Sequence, residues 1–217
     1  MNFEQARLNM IEQQIRTWEV LNQTVLDLLA KIHREDFIPE EYRQLALADT
    51  HIPLMHGQVT MTPMVEARLL QSLNIQADDS ILEIGTGCAY LSALLAKSGR
   101  EVISVDIYRD FTEQARNRLA RYNIKNVGLE TGDAIRGWGK ARSYNVIVVT
   151  GSVPVLEPCF QEQLTTGGRL FVITGESPVM EALLITHIGN DEWSREVLFE
   201  TDLPALIGAP QPQRFTL

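Results

Sequence analysis

A short stretch in the middle of the chain, ILEIGTGCAY from Ile81 to Tyr90, combines a carboxylate with two closely spaced glycines. An apolar run ends at Glu83, and Gly85 and Gly87 follow it, ahead of a segment rich in helix-forming residues. This pattern predicts a strand, a tight turn and a helix. At the end of a parallel strand, such glycines let the backbone turn sharply and approach a ligand closely. The stretch is therefore the first candidate for a binding site.

The spacing of these glycines disfavours a nicotinamide dinucleotide as the ligand. The dinucleotide fingerprint needs Gly or Ala at its last position, and counted from Gly85 that position is Tyr90, which is too large for close helix packing. The pattern present is ExGxGxA, from Glu83 to Ala89, and it resembles motif I of the class I S-adenosylmethionine (SAM) methyltransferases. An acidic strand end suits the sulfonium and ammonium groups of SAM. The alternative is a packing turn that binds no ligand.

Further acidic residues are expected at the same edge of the sheet. Asp106 ends the next predicted strand, where an acidic residue of a nucleoside-binding unit accepts hydrogen bonds from ribose hydroxyls; the alternative role is a helix N-cap. Gly132 and Asp133 follow the third strand, where the resemblance to SAM methyltransferases places an acceptor for the adenine amino group. Thr150 ends the fourth strand. The predicted cofactor-binding residues are Glu83, Gly85, Thr86, Gly87, Asp106, Ile107, Gly132, Asp133, Ala134 and Thr150.

The elements that must position these residues alternate between strands and helices. Strands are predicted at Ser80–Ile84, Glu101–Val105, Val127–Glu130, Tyr144–Thr150 and Arg169–Thr174, and helices at Ala89–Ser98, Phe111–Tyr122 and Val155–Leu164. This alternation predicts a doubly wound, mostly parallel α/β sheet with helices on both faces. The resemblance to SAM methyltransferases implies that the sheet is of their Rossmann-like type. Two β-rich runs around Gly189, Asn190 and Asp191 predict a hairpin that gives the sheet an antiparallel edge.

The part of the chain before the sheet is predicted to be helical. Apolar spacing indicates helices near residues 3–15 and 25–32, and Pro39 can begin a third short one. An irregular loop from Ala48 to Thr62 follows, and Thr62 and Pro63 resemble the N-cap and first turn of another helix that runs to about Ile75. We expect one domain, in which residues 1–62 form a helical cap and substrate loop on an α/β core of residues 63–217. The tail after Pro204 is predicted to be irregular.

Composition and charge exclude several classes of function. The formal net charge of −9 and the pI near 5.0 argue against nucleic acid as a partner. The chain has no apolar run near the roughly 20 residues that span a bilayer, and its first residues are polar, so we expect a cytoplasmic protein without a membrane partner. Cys88 and Cys159 show no metal-ligand spacing and neither do the histidines, so no metal is predicted. A hydrolase is disfavoured because the chain lacks a GxSxG elbow.

Several longer phrases resemble the protein-L-isoaspartate (D-aspartate) O-methyltransferase family. They are DTHIPLMHGQVTMTP (Asp49 to Pro63), ILEIGTGCAYLSALLA, TGDAIRGW, VIVVTGS and LTTGGRLFVITG, and they extend to Gly175. The resemblance implies that SAM methylates the α-carboxylate of an isoaspartyl residue in a damaged protein or peptide, which begins its repair and leaves S-adenosyl-L-homocysteine. A carboxylate is already ionised at pH 7, so the reaction needs placement and exclusion of water more than a general base.

The loop before Pro63 departs from the family pattern GQTISxP at two positions. Aligned on Gln58, Val59 replaces the threonine and Met61 replaces the active-site serine, and neither side chain can donate a hydrogen bond to a carboxylate. Gln58 and Val59 are the predicted substrate-binding residues, and Thr60, Met61 and Thr62 are the candidates for the catalytic position. The alternative is a paralogue that binds SAM but methylates another acceptor, or one that only senses SAM.

Overall fold

The fold is built on a seven-stranded sheet, seen in a computed structural model that describes residues 2–139, 142–190 and 192–212. The strands are β1 (Ser80–Ile84), β2 (Glu101–Asp106), β3 (Val127–Thr131), β4 (Tyr144–Val153), β5 (Leu164–Glu176), β6 (Val179–Gly189) and β7 (Glu192–Thr201). Their spatial order is β3-β2-β1-β4-β5-β6-β7, with β1 to β5 parallel and β6 and β7 antiparallel. The order reverses between β1 and β4, which is where open α/β sheets bind ligands.

The central position of β1 follows from its composition. All five of its residues are buried, and the strand pairs in parallel with β2 on one side and β4 on the other. A strand covered on both faces and both edges must be almost wholly apolar, and SILEI is apolar except at Ser80 and Glu83. Glu83 is therefore a carboxylate in the middle of the core, where it needs specific partners.

Five α-helices surround the sheet in the described ranges. They are α1 (Phe3–Met10), α2 (Gln23–Lys31), α3 (Pro63–Leu73), α4 (Tyr90–Ser98) and α5 (Arg109–Arg121), with shorter helical turns at Ile11–Ile15, Arg16–Trp18 and Glu40–Leu45. The predicted N-cap of α3 is confirmed, since the Thr62 hydroxyl accepts a hydrogen bond from the backbone N–H of Val65 at 3.5 Å. The predicted helices at the start of the chain and after β1 and β2 are also confirmed, with small differences at their ends.

The helices share one hydrophobic core with one face of the sheet. Met10 and Leu29 from the first two helices belong to the same buried cluster as Leu69 of α3, Leu94 of α4 and Val146 of β4. The N-terminal helices therefore pack onto the helices that support the glycine turn. A second cluster combines strand residues with side chains from turns and loops, among them Trp138, Leu156, Phe160 and Leu206.

The prediction of a helix over Val155–Leu164 is wrong. Turns connect β4 to β5 there, and Phe160 is buried while Gln163 accepts a hydrogen bond from the backbone N–H of Trp138 at 2.9 Å. The reason is Pro158, which has no N–H to donate and disfavours helical backbone at Glu157 before it. The second face of the sheet is consequently covered here by irregular chain.

The antiparallel edge of the sheet is confirmed. β5 pairs with β6 and β6 with β7, and Gly189 and Asn190 both have positive φ in the turn between the last two strands. Asp191, predicted in the same turn, lies outside the described residues. Within the described ranges, none of the helices has the length and apolar character needed to cross a bilayer.

Candidate active site

A cleft lies across the carboxyl ends of β1, β2 and β4, at the point where the strand order reverses. It encloses about 740 Å³ when the open solvent at its mouth is included. Its lining includes most of the residues predicted for the cofactor and two predicted for the substrate: Gly85, Gly87, Asp106, Ile107, Gly132, Asp133, Ala134, Thr150, Gln58 and Val59. The structure thus brings together residues from five separate parts of the sequence.

The first wall of the cleft is the glycine turn after β1. Gly85 has φ +98°, and a Cβ there would lie 2.1 Å from Thr150 Oγ1, so only glycine fits without straining the backbone and displacing the Thr150 side chain. Thr150 Oγ1 is 2.9 Å from the carbonyl oxygen of Ile84 and 2.8 Å from that of Gly85. The threonine therefore fastens the end of β1 to β4 at the floor of the cleft.

The second wall of the cleft lies at the end of β2, where the Asp106 side chain lines the cleft. Its two carboxylate oxygens accept hydrogen bonds from the backbone N–H groups of Gly87 at 2.9 Å and Tyr108 at 3.0 Å. Asp106 is not the N-cap of α5, because the residue at that position is Tyr108. Burial raises the pKa of the Asp106 carboxyl, while the bonds from Gly87 and Tyr108 oppose that rise. The carboxylate keeps lone pairs free for a ligand hydroxyl.

The third wall follows β3. The backbone N–H of Gly132 donates to the carbonyl oxygen of Asp106 at 2.9 Å, which fixes the spacing between the two walls. Asp133 is exposed in the cleft, and its Oδ1 accepts from the backbone N–H of Ile135 at 3.0 Å. The carboxylate is thus held in place with one oxygen free to accept a hydrogen bond.

Two predicted cofactor residues, Glu83 and Thr86, lie behind the glycine turn. They line a small inner cavity next to the main cleft. Glu83 Oε2 accepts hydrogen bonds from the Ser92 hydroxyl at 2.5 Å and the Ser104 hydroxyl at 2.6 Å, and the Thr86 hydroxyl is 2.7 Å from Ser104. Glu83 Oε1 is buried without a hydrogen-bond partner in the described part of the chain. Burial raises the pKa of Glu83 to about 8, against the two serine hydrogen bonds, which lower it.

The raised pKa of Glu83 predicts a dependence of stability on pH. The folded state holds the proton more tightly than the unfolded state, so this contribution to stability is complete below the ordinary glutamate pKa and is lost as pH rises toward 8. Glu83→Gln removes that dependence, since the amide does not titrate. As pH rises from about 5 to 8, we expect the free energy of unfolding of the variant to increase relative to that of the wild type by at most about 1.4 kcal/mol per pH unit. Urea unfolding at several pH values measures the difference, and parallel curves for the two proteins would contradict it.

The predicted substrate loop forms a narrow finger, residues 52–60, over one side of the cleft. The backbone N–H of Thr60 donates to the carbonyl oxygen of Ile52 at 3.0 Å, and that of Leu54 donates to the carbonyl oxygen of Gln58 at 2.8 Å. The bridge between Pro53 and Val59 completes this ladder. Gln58 and Val59 consequently face the cleft, as the sequence predicts for substrate-binding residues.

The three candidates for the catalytic position are placed differently from Gln58 and Val59. Thr60 and Met61 are buried and line the inner cavity, where the Thr60 hydroxyl accepts from the backbone N–H of Ile52 at 3.2 Å. Thr62 is outside both cavities, and its hydroxyl caps α3. The structure therefore brings Thr60 and Met61 near the glycine turn and does not bring Thr62 there.

The base of the finger is fixed by Arg34, which sequence reasoning missed. Arg34 is buried and pairs with Glu66 at 2.9 Å, and its guanidinium donates to the Met61 carbonyl oxygen at 2.7 Å and to the Thr60 hydroxyl at 3.1 Å. A signal was present in the sequence. Glu66 falls on the apolar stripe of α3, three and seven residues before Leu69 and Leu73, where a carboxylate requires a buried partner.

The second feature missed is a strap, Leu203–Ile207, that crosses the cleft beside Thr150. Its backbone pairs with Ser152 through the Pro204 carbonyl oxygen at 3.0 Å and the Leu206 N–H at 2.9 Å, and it lines the cleft throughout. This segment lies in the tail predicted to be irregular, and it is irregular. Its apolar composition, LPALI, was the available sign that it covers something.

Comparison with known proteins agrees with this geometry. Residues 5–202 match the family model described as Protein-L-isoaspartate(D-aspartate) O-methyltransferase. Protein-L-isoaspartate O-methyltransferases from Brucella anthropi and Myxococcus xanthus are 31% and 36% identical to the chain; the alignments cover 95% and 74% of the chain and 95% and 76% of the relatives.

The fold also agrees with a solved structure. A Plasmodium falciparum protein described as a protein-L-isoaspartate O-methyltransferase, in complex with S-adenosyl-L-homocysteine, superposes with a TM-score of 0.78. The match covers 95% of this chain and 98% of the other, at 18% identity. The predicted Rossmann-like methyltransferase fold is thereby confirmed.

Proposed function

Because this chain belongs to the protein-L-isoaspartate(D-aspartate) O-methyltransferase family, we propose that it transfers the methyl group of SAM to the α-carboxylate of isoaspartyl residues in damaged proteins or peptides. The observation that carries the proposal is the meeting of the glycine turn, Asp106 and Asp133 at the point where the strand order reverses. The corresponding cellular role is protein repair in the cytoplasm.

The walls of the cleft suit the parts of SAM. Asp106 would accept hydrogen bonds from the ribose hydroxyls, and Asp133 one from the adenine amino group, since each carboxylate is fixed by backbone N–H groups and keeps lone pairs for the ligand. Gly85 and Gly87 let the backbone approach the ligand closely. Glu83 Oε1, which has no hydrogen-bond partner in the described part of the chain, would accept a hydrogen bond from the ammonium of the methionyl part, and that cation would in turn favour the ionised form of the carboxyl.

The chemistry requires placement more than acid or base assistance. SAM supplies an electrophilic methyl group when it is bound, and an ionised carboxylate is already a competent acceptor at neutral pH. The protein must align the carboxylate with the methyl group and exclude water, which would otherwise solvate the acceptor. Gln58 and Val59 of the finger line the cleft and would perform the first task, and the apolar strap that carries Leu206 would perform the second.

The proposal is tested by methyl transfer from radiolabelled SAM to a synthetic isoaspartyl peptide, with the aspartyl peptide of the same sequence as control. Calorimetric titration of SAM accompanies the assay. We expect turnover on the isoaspartyl peptide and none above background on its twin. SAM binding without turnover on either peptide would contradict isoaspartyl specificity and favour another acceptor or a sensing role. No SAM binding would contradict methyl transfer itself.

Val59→Thr is expected to improve the acceptor site. Val59 lines the cleft, and threonine has nearly the same shape but adds a hydroxyl that can donate a hydrogen bond to a carboxylate. A hydrogen bond to a charged group contributes about 1.5 kcal/mol or less at a partly exposed position, so the KM for the isoaspartyl peptide should fall about three- to tenfold. Steady-state kinetics measure this change, with the KM for SAM as an internal control. An unchanged or higher peptide KM would place the acceptor away from Val59.

A further inference from the structure

The finger over the cleft is fastened at both ends. At its base, buried Arg34 contacts Thr60 and Met61, and the His51 ring nitrogen Nδ1 is 2.8 Å from the Thr60 carbonyl oxygen. At its tip, His56 reaches across to the segment between β2 and α5. The residues between the two attachments, including Gln58, line the cleft. The finger therefore depends on two separate attachments for its position over the site.

The contacts at the tip are specific. The His56 ring stacks on the Tyr108 ring with centroids 3.9 Å apart and planes 9° apart, and it meets the edge of Phe111 at 5.7 Å. His56 Nε2 is 2.7 Å from Asp110 Oδ2. This hydrogen bond from His56 is the main cause that lowers the pKa of Asp110. His56 and Gly57 both have left-handed backbone, with φ 59° and 67°, so the turn is shaped to present this ring.

The tip contact joins opposite walls of the cleft. Tyr108 and Phe111 line the cleft on the side of Asp106, and Tyr108 donates its backbone N–H to that carboxylate. Leu54 and Val59 line the cleft from the finger. A ligand seated on Asp106 is therefore enclosed by the finger only while His56 stays on Tyr108.

The two attachments differ in strength. The side chains of Arg34 and Glu66 at the base are 1% and 4% exposed, whereas those of His56 and Asp110 at the tip are 36% and 42% exposed. A polar contact exposed to water contributes little even where both groups are charged, and an aromatic stack contributes modestly, while a buried charge pair is costly to separate. The tip consequently opens more readily than the base.

We propose that His56 is a positioning residue whose contacts with Tyr108 and Asp110 hold the finger closed over SAM and slow the release of S-adenosyl-L-homocysteine. The inference rests on the proposed function and adds a determinant of how long the ligand stays bound. His56 lines neither the cleft nor the inner cavity. It acts through the placement of Leu54, Gln58 and Val59.

The test measures S-adenosyl-L-homocysteine dissociation by stopped flow and its affinity by calorimetry. His56→Ala removes the ring and the hydrogen bond to Asp110, whereas His56→Phe keeps a ring over Tyr108 and removes only the hydrogen bond. We expect dissociation about five- to tenfold faster for His56→Ala and about two- to threefold faster for His56→Phe. Arg109→Ala is the matched control, since Arg109 is an exposed neighbour that pairs with Glu113 at 2.8 Å. The control should release the ligand at the wild-type rate.

The same experiment separates this inference from the proposed function. If the wild type binds the ligand and both His56 variants release it at the wild-type rate, the closing role of His56 is overturned while the methyltransferase proposal stands. If Arg109→Ala accelerates release as much as His56→Ala, the effect is general to this surface and the inference is again overturned. If the wild type does not bind the ligand, the proposed function fails first. Melting temperatures without ligand should stay close to wild type, because a purely structural role would lower them.

Discussion

Replacing Asp106 with alanine is expected to weaken SAM binding by at least about 100-fold. The variant loses the proposed hydrogen bonds to the ribose, and hydrogen bonds to charged groups contribute about 1.5 to 3 kcal/mol each. It also loses the carboxylate that ties Gly87 to Tyr108, so the glycine turn is held less firmly and keeps the backbone bond from Gly85 to Val105. Both effects reduce affinity, and calorimetric titration of SAM measures their sum.

Two further variants make the Asp106 result interpretable. Asp106→Asn keeps one oxygen acceptor and the size of the side chain, so its affinity should lie between those of the wild type and the alanine variant. Asp78→Ala changes an exposed aspartate before β1 and should bind SAM as the wild type does. Binding by Asp106→Ala within about threefold of the wild type would show that the ribose does not lie on this residue.

Replacing Arg34 alone with methionine is expected to destabilise the protein by about 3 to 5 kcal/mol. The change leaves the Glu66 carboxylate buried without its partner, and it removes the guanidinium donors to the carbonyl oxygens of Ala46 and Met61. The large cost comes from the stranded charge more than from the lost attraction. Urea unfolding with a linear extrapolation measures this free energy.

The double variant Arg34→Met, Glu66→Leu is the matched control. It removes both charges together, and a buried ion pair replaced by apolar side chains of similar size often costs little. We expect it to recover most of the stability while the finger still lacks its attachment at Met61. It should therefore fold well but show a raised KM for the isoaspartyl peptide. If the double variant is as unstable as the single one, the carbonyl contacts rather than the charge pairing dominate.

The parts of the fold that the sequence predicted well are those encoded locally. The run from Ser80 to Ile84 is wholly buried, ends at a glycine turn and is followed by helix-forming residues. Its apolar character, its length and the turn that ends it therefore all indicate the same buried strand. Asp106 is the last residue of β2 and Asp133 lies two residues after β3, and parallel strands bring their carboxyl ends to one edge. Position along the chain was therefore enough to place them in one cleft.

The features that were missed depend on contacts between distant parts of the chain. Arg34 meets Glu66 across 32 residues, and Leu206 covers Gly151 from the far end of the chain, so neither leaves a local period. Glu83 was predicted to lie at the glycine turn, and the structure places it behind that turn, in the inner cavity. The strand pattern in the sequence does not say on which side of a glycine turn a buried carboxylate lies. The helix predicted over Val155–Leu164 took no account of Pro158.

The strap has a consequence for how the protein is made. Synthesis runs from the N-terminus, and domains fold as their segments become available. The glycine turn emerges well before Leu203–Ile207, so a nascent chain carries an open, partly apolar groove until the strap has been made. A ligand that needs the finished cleft stabilises only chains that already include the strap, because binding adds stability to the state that binds.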